Sequence, residues 1–123
     1  MINPWFLSGG ILMIIVCLVH SVLGERLIFR RLRAGGLIPT DGGNRLYESH
    51  VRILWATWHL SSVLGWATAF ILLYASGAAV PPVIVHAIAA AAAASGLLVL
   101  VGTRGRHPGW IALLVVAMLV CYG

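Results

Sequence analysis

The sequence predicts an all-α integral membrane protein, an antiparallel up-and-down four-helix bundle formed by a single domain, residues 1–123. The chain is 61% hydrophobic and 9% charged, with a mean hydropathy of +1.01. A soluble domain carries about 25% charged residues, so the polar surface that such a domain needs is absent. Apolar segments separated by short polar loops make up most of the chain, as in a multi-span membrane protein.

Four membrane spans are predicted, at about 5–24, 51–75, 83–102 and 109–122. The first three are long enough to cross a hydrocarbon core of about 30 Å. The fourth is short, so it requires tilt or local thinning of the bilayer. In the third span, the alanine run 89–94 favours close packing against a neighbouring helix.

The loop 25–50 begins with an amphipathic segment that we expect to lie at the membrane surface. Its arginines are expected to bind anionic lipid headgroups. Later in the loop, Glu48 and Arg52 are four residues apart and are expected to pair. The amphipathic segment combines apolar Leu27, Ile28, Phe29 and Leu32 with basic Arg26, Arg30, Arg31 and Arg33.

The distribution of basic residues predicts the orientation in the membrane. All 8 are arginines, and they lie in or beside the first and third loops. The positive-inside rule then places both termini on the non-cytoplasmic side of a bacterial inner (cytoplasmic) membrane. The arginines form no continuous basic face, so nucleic-acid binding is not predicted.

The second span carries the most unusual chemistry of the chain, a row of polar and aromatic residues that we call the polar face. Its members recur every three or four residues and so share one side of a helix. Such a face is costly in lipid, so it is expected to contact protein, water or a bound group. The members are Arg52, Trp55, His59, Ser62, Trp66 and Phe70.

Two histidines on different helices are predicted at similar depth. From the rise of about 1.5 Å per residue, His20 lies about 7 Å and His59 about 10 Å inside the cytoplasmic boundary. Two imidazoles at one level are typical of the axial ligands of haem b, and they also suit a transition metal. In the haem interpretation, Arg52 pairs with a propionate while Trp55 and Trp66 contact the macrocycle. The metal interpretation uses His20, His59 and His107 as ligands, together with the carboxylate of Glu25 or, alternatively, of Glu48.

Three functions follow from these residues. The first is electron transfer or redox chemistry on a quinone or another lipid-soluble substrate. The second is a small proton-linked transporter acting as a homo-oligomer, because imidazole changes its charge near neutral pH. The third is a non-catalytic assembly subunit whose polar face meets a partner helix.

Each histidine also has a purely structural interpretation, a hydrogen bond to a serine across a helix interface. No role is predicted for His86, and no hydrolase arrangement is recognised around Ser61 and Ser62.

Three motifs of the chain resemble small four-span bacterial membrane proteins of unknown function. The motifs are HSVLGE (20–25), RILWATWH (52–59) and RGRHPGW (104–110). The resemblance extends loosely over most of the chain. It implies a four-span architecture and no particular activity.

Overall fold

The computed structural model describes all residues 1–123 and consists entirely of helices and connecting loops. The prediction of an all-α protein is therefore confirmed. Each segment predicted as a span lies inside one helix. The elements are α1 (Pro4–Leu27), a short 3-10 helix (Phe29–Leu32), α2 (Glu48–Gly77), α3 (Pro82–Gly102) and α4 (Gly109–Tyr122).

Three of the four helices are long and apolar enough to cross a membrane, which indicates a membrane protein. These are α1, α2 and α3, with 24, 30 and 21 residues. Helix α4 has 14 residues, corresponding to about 21 Å. Large apolar side chains are exposed on all four helices, among them Leu18, Leu64, Leu98 and Met118. Lipid suits such a surface, whereas water does not.

The chain divides into two compact units. Unit 1 comprises residues 1–16 and 65–123, and unit 2 comprises residues 17–64. Helices α1 and α2 each contribute one part to unit 1 and the other part to unit 2.

In unit 1, Asn3 fixes the start of α1. Its Oδ1 accepts hydrogen bonds from the backbone N–H groups of Trp5 (2.9 Å) and Phe6 (3.3 Å), the standard role of an N-cap residue. Its Nδ2 donates to the carbonyl oxygen of Gly123 (3.0 Å), and its backbone N–H donates to the carbonyl of Ser76 (2.7 Å). One residue thus joins the start of α1, the end of α2 and the residue after α4.

Helices α3 and α4 approach each other closely in unit 1 because small residues line their contact. Ala89, Ala92 and Gly96 are buried on one side of α3. A Cβ atom added at Gly96 would lie 3.0 Å from Leu114 Cδ2 and 3.2 Å from the carbonyl oxygen of Trp110. The alanine-rich segment therefore serves helix packing, as its small side chains predict.

His86 lines a cavity in unit 1, although it lies on the exposed side of α3. The cavity has a volume of about 330 Å³, and most of its other lining residues are apolar. Its wall includes Phe6, Val85, Val120 and the thiol of Cys121. Both cysteines of the chain are free.

In unit 2, the segment after α1 folds back onto the protein. The carbonyl of Leu32 accepts hydrogen bonds from the N–H groups of Thr40 and Asp41, both 2.9 Å, and Pro39 is fully buried. Phe29 is only 2% exposed. It packs against Trp58 with 5.7 Å between ring centres, because the 3-10 helix turns the chain away from the direction of α1.

We expect Asn3→Ala to lower the free energy of unfolding by about 1 kcal/mol, because two N–H groups of the first turn of α1 lose their acceptor. Asn3→Ser should retain most of the stability, since serine caps helices well. Thermal unfolding in detergent, followed by circular dichroism at 222 nm, measures the change. Asn44→Ala, at an exposed asparagine outside the helices, is the matched control. Equal losses for Asn3→Ala and Asn44→Ala would contradict the capping role.

Candidate functional site

A group of polar side chains lies between α1 and α2 inside unit 2. Helix α1 contributes a serine and a glutamate that are four residues apart and therefore share one side of the helix. Helix α2 contributes an indole, an imidazole and a serine hydroxyl, and the segment after the 3-10 helix contributes a guanidinium. We call this group the polar cluster, and its members are Ser21, Glu25, Arg33, Trp55, His59 and Ser62.

Glu25 is the centre of the polar cluster. Its Oε1 forms an ion pair with Nη2 of Arg33. Its Oε2 accepts a hydrogen bond from the indole N–H of Trp55 at 3.3 Å and lies 3.7 Å from Nε2 of His59. Three elements of unit 2 therefore meet at one carboxylate. A carboxylate beside apolar helices requires such partners, because lipid and protein solvate a negative charge poorly.

His59 lies between a hydroxyl and this carboxylate. Its Nδ1 is 3.0 Å from Oγ of Ser21, and its Nε2 faces Glu25. Ser21 Oγ is also 2.9 Å from Oγ of Ser62, whose side chain is buried. The edge of the Trp55 ring packs on the imidazole at 5.2 Å between ring centres, and Phe29 contacts it at 6.0 Å. The ring of His59 is therefore held on several sides.

The negative charge of Glu25 determines which of two proton arrangements is favoured in the hydrogen bonds that join Ser62, Ser21 and His59. Ser21 has one hydroxyl proton, so it donates either to Ser62 or to His59. If Ser21 donates to Ser62, Nδ1 of a neutral His59 carries the ring proton, and the lone pair of Nε2 faces the charge of Glu25. If Ser62 donates to Ser21, then Ser21 donates to Nδ1, and the Nε2–H group points at Glu25. The second arrangement avoids repulsion and is favoured electrostatically.

His20 has a different environment from His59. Its ring stacks on Trp58 with 4.2 Å between ring centres and 7° between planes. Its Nε2 is 3.2 Å from Oγ of Ser61, which donates to the carbonyl of Trp58 at 2.7 Å. The indole N–H of Trp58 donates to the carbonyl of His20 at 3.1 Å. Each histidine is thus joined to a serine of the opposite helix, which is the structural interpretation that the sequence left open.

The polar face of α2 is only partly turned towards protein. Trp55, His59 and Ser62 are among its inward residues, whereas Arg52, Trp66 and Phe70 are exposed. Arg52 pairs with Glu48, as expected, with Nε 2.7 Å from Oε1. For these three residues, contact with water or a bound group stays a prediction. The inward side is instead defined by positions that alternate in steps of four and three residues, namely Val51, Trp55, Trp58, Ser62, Gly65, Ala69, Leu72 and Ser76.

The predicted haem and metal residues have the following positions. His20, His59, Glu25, Arg52 and Trp55 belong to unit 2, whereas Trp66 and His107 belong to unit 1. His107 is exposed in the loop before α4, where its Nδ1 accepts a hydrogen bond from the N–H of Gly109 at 3.1 Å.

The haem or metal site stays a prediction. No three histidine, cysteine, aspartate or glutamate side chains come together as a metal-binding group. An imidazole binds a metal through one ring nitrogen, so His20 and His59 could each keep the serine contact on the other nitrogen. An absorption spectrum of the oxidised and the reduced protein is the direct test.

Several residues of the site are not among the predicted ones. Ser21 and Arg33 belong to the polar cluster and Trp58 stacks on His20, yet none of the three is a predicted site residue. A signal for Ser21 was present in the sequence. It follows the buried Cys17 by four residues and precedes Glu25 by four, so all three share one side of α1. Arg33 had no such signal, because it reaches Glu25 only through the turn of the 3-10 helix.

Comparison of the chain with family models, with curated proteins and with solved structures finds no match. The resemblance to small four-span bacterial membrane proteins therefore stays untested. The function has to be inferred from the site itself.

Gly24 permits the close approach of α1 and Trp58, because any Cβ atom at this position would overlap the indole ring. We expect Gly24→Ala to displace Trp58, to break its hydrogen bond to His20, and to lower the free energy of unfolding by about 1–3 kcal/mol. Near-UV circular dichroism and thermal unfolding in detergent measure the two effects.

Gly9→Ala, on the same helix, is the matched control. A Cβ atom at Gly9 would make only ordinary contacts, the nearest at 3.5 Å from Val120 Cγ2. Since alanine favours helix by up to about 1 kcal/mol over glycine, this variant should be as stable as the parent or slightly more so. Equal stability of the two variants would contradict the packing of Gly24 against Trp58.

Proposed function

We propose that this chain is a multi-pass protein of the bacterial cytoplasmic membrane that carries an acid–base site, in which His59 is the base and Glu25 orients it. The substrate would be a lipid-soluble molecule that reaches the site from the membrane. One observation carries the proposal: the imidazole of His59 lies between the hydroxyl of Ser21 and the carboxylate of Glu25.

The surroundings of His59 suit proton transfer. An imidazole can take up a proton near neutral pH, and a carboxylate beside it stabilises the imidazolium that forms. Arg33 and Trp55 donate to the same carboxylate and stabilise its negative charge. Few water molecules compete in an apolar environment, so these interactions are stronger there than at a protein–water surface.

The proposed orientation places the polar cluster in the cytoplasmic half of the membrane, with both termini on the opposite side. Arg33 and Arg52 pair with carboxylates. The remaining arginines are exposed and are available to anionic headgroups. These are Arg26, Arg30, Arg31, Arg45, Arg104 and Arg106. Reporter fusions at the two termini test this orientation.

A proton-linked transporter would use the same pair of residues, with the transported molecule in place of a reacting one. His59 would then pass its proton to or from that molecule while Glu25 balances the charge. Both versions require that neutral His59 has its lone pair on Nδ1, the ring nitrogen on the side of Ser21. The experiment below therefore tests the feature that the two versions share.

We expect neutral His59 to carry its ring proton on Nε2, towards Glu25, and to have its lone pair on Nδ1. The nitrogen chemical shifts of 15N-labelled histidine, recorded at pH 8 in lipid nanodiscs, distinguish the two tautomers. The signals of His59 are assigned by their loss in His59→Gln. Glu25→Gln should remove most of the preference for Nε2–H, because the charge that fixes the tautomer is gone.

Glu48→Gln is the control, since Glu48 pairs with Arg52 and does not contact His59. It should leave the His59 signals unchanged. A ring proton on Nδ1 in the unmodified protein would contradict the proposal, because His59 would then be only a hydrogen-bond donor to Ser21.

A further inference from the structure

The side chains of Ser21, His59 and Glu25 form a hydroxyl–imidazole–carboxylate series. The hydroxyl oxygen is 3.0 Å from one ring nitrogen, and the other ring nitrogen is 3.7 Å from the carboxylate. The first distance lies within the range expected between a nucleophile and its base. The second is longer, as is common for catalytic contacts before a substrate binds. A nucleophile, a base and a group that orients the base are the three parts of a serine acyl-transfer site.

We propose that Ser21 is the nucleophile of a site that cleaves long-chain acyl esters within the membrane. This inference rests on the proposed function in one respect, because His59 must be able to accept a proton. It goes further in naming the group that provides the proton and the class of substrate.

Ser21 fits the role better than the two serines of α2. Ser62 is 2% exposed, so a substrate has no access to its hydroxyl. Ser61 donates its proton to the carbonyl of Trp58 and faces His20 rather than His59. Ser21 is partly exposed and is in direct contact with His59. The hydroxyl of Ser62, 2.9 Å away, can donate to Ser21, whose own proton is then directed at Nδ1 of His59.

The surface around Ser21 indicates the class of substrate. Leu18 and Val22, three residues before and one residue after Ser21, are 52% and 40% exposed. A molecule that approaches Ser21 along α1 therefore meets apolar side chains. These suit a long acyl chain, which dissolves in lipid, better than a polar ester from water.

The reaction balances with water as the second reactant. Ser21 Oγ forms a bond to the acyl carbon, and its proton passes to Nδ1 of His59. The bond between the acyl carbon and the ester oxygen breaks, and the alcohol leaves with that proton. Water then attacks the acyl-serine with His59 as base, the carboxylic acid is released, and Ser21 regains its proton. Glu25 stabilises the imidazolium in both steps.

An alkyl fluorophosphonate with a long chain tests the proposal. Such a probe forms a covalent oxygen–phosphorus bond with an activated serine and releases fluoride. We expect the full-length protein in nanodiscs to be modified at Ser21, as located by peptide mass spectrometry, and Ser21→Ala to remain unmodified. His59→Gln should slow the modification by about 100-fold or more, the usual contribution of a general base.

Two further variants keep the test decisive. Glu25→Gln has nearly the same shape as glutamate and should slow the modification while the far-UV circular dichroism stays unchanged. Ser8→Ala removes an exposed serine of α1 outside the polar cluster and should change nothing. Absence of modification at Ser21 in the folded protein would overturn the proposal, as would equal rates with and without His59. If the His59 tautomer is as expected but Ser21 is not modified, the acid–base site stands and the acyl-ester reaction fails.

Discussion

The carboxylate of Glu25 is the constraint on which unit 2 depends. It lies near the end of α1 and is partly buried, and a partly buried charge is stabilised by nearby hydrogen-bond donors and by an opposite charge. Arg33, Trp55 and His59 each approach one of its two oxygens, and they come from different parts of the chain. The requirement to partner one charge thus brings together the end of α1, the segment after the 3-10 helix and the first half of α2.

The position of α2 along α1 follows from this arrangement. With Trp55 and His59 at Glu25, the next turns bring Ser62 to Ser21 and Ser61 to His20. Because Gly24 has no side chain, the indole of Trp58 lies directly against α1 and donates a hydrogen bond to the carbonyl of His20. Each of these two histidines then has a serine partner on the opposite helix. His20 also stacks on Trp58, whereas His59 also contacts Trp55. The acid–base proposal concerns His59, which has the carboxylate of Glu25 beside it in the polar cluster.

The helices of this protein could be predicted from the sequence, because their signals are local. Long apolar runs fix their number, Asn3 and Pro4 mark the start of α1, and Glu48 pairs with Arg52 one turn later. The inward side of α2 was harder to predict. Arg52, Trp66 and Phe70 lie about 100° around the helix from Val51, Gly65 and Ala69, which are on the inward side. The prediction grouped these three exposed residues with His59 and Ser62 on one face, because all of them are polar or aromatic and recur at helical spacing. Ser21 and Arg33 depend on the pairing of α1 with α2 and on a turn, and neither is visible in a single helical segment.

Disulfide cross-linking tests most directly whether Ser21 lies opposite Ser62. With Cys17 and Cys121 replaced by alanine, Ser21→Cys combined with Ser62→Cys should form a disulfide on mild oxidation, because the two hydroxyl oxygens are 2.9 Å apart. Trypsin cleaves the arginine-rich loop 25–50, so the two fragments should stay joined until they are reduced. The pair Ser21→Cys and Ser61→Cys should cross-link far less, since Ser61 faces His20. Preferential cross-linking to position 61, or none to position 62, would contradict the arrangement of Ser21, His59 and Glu25.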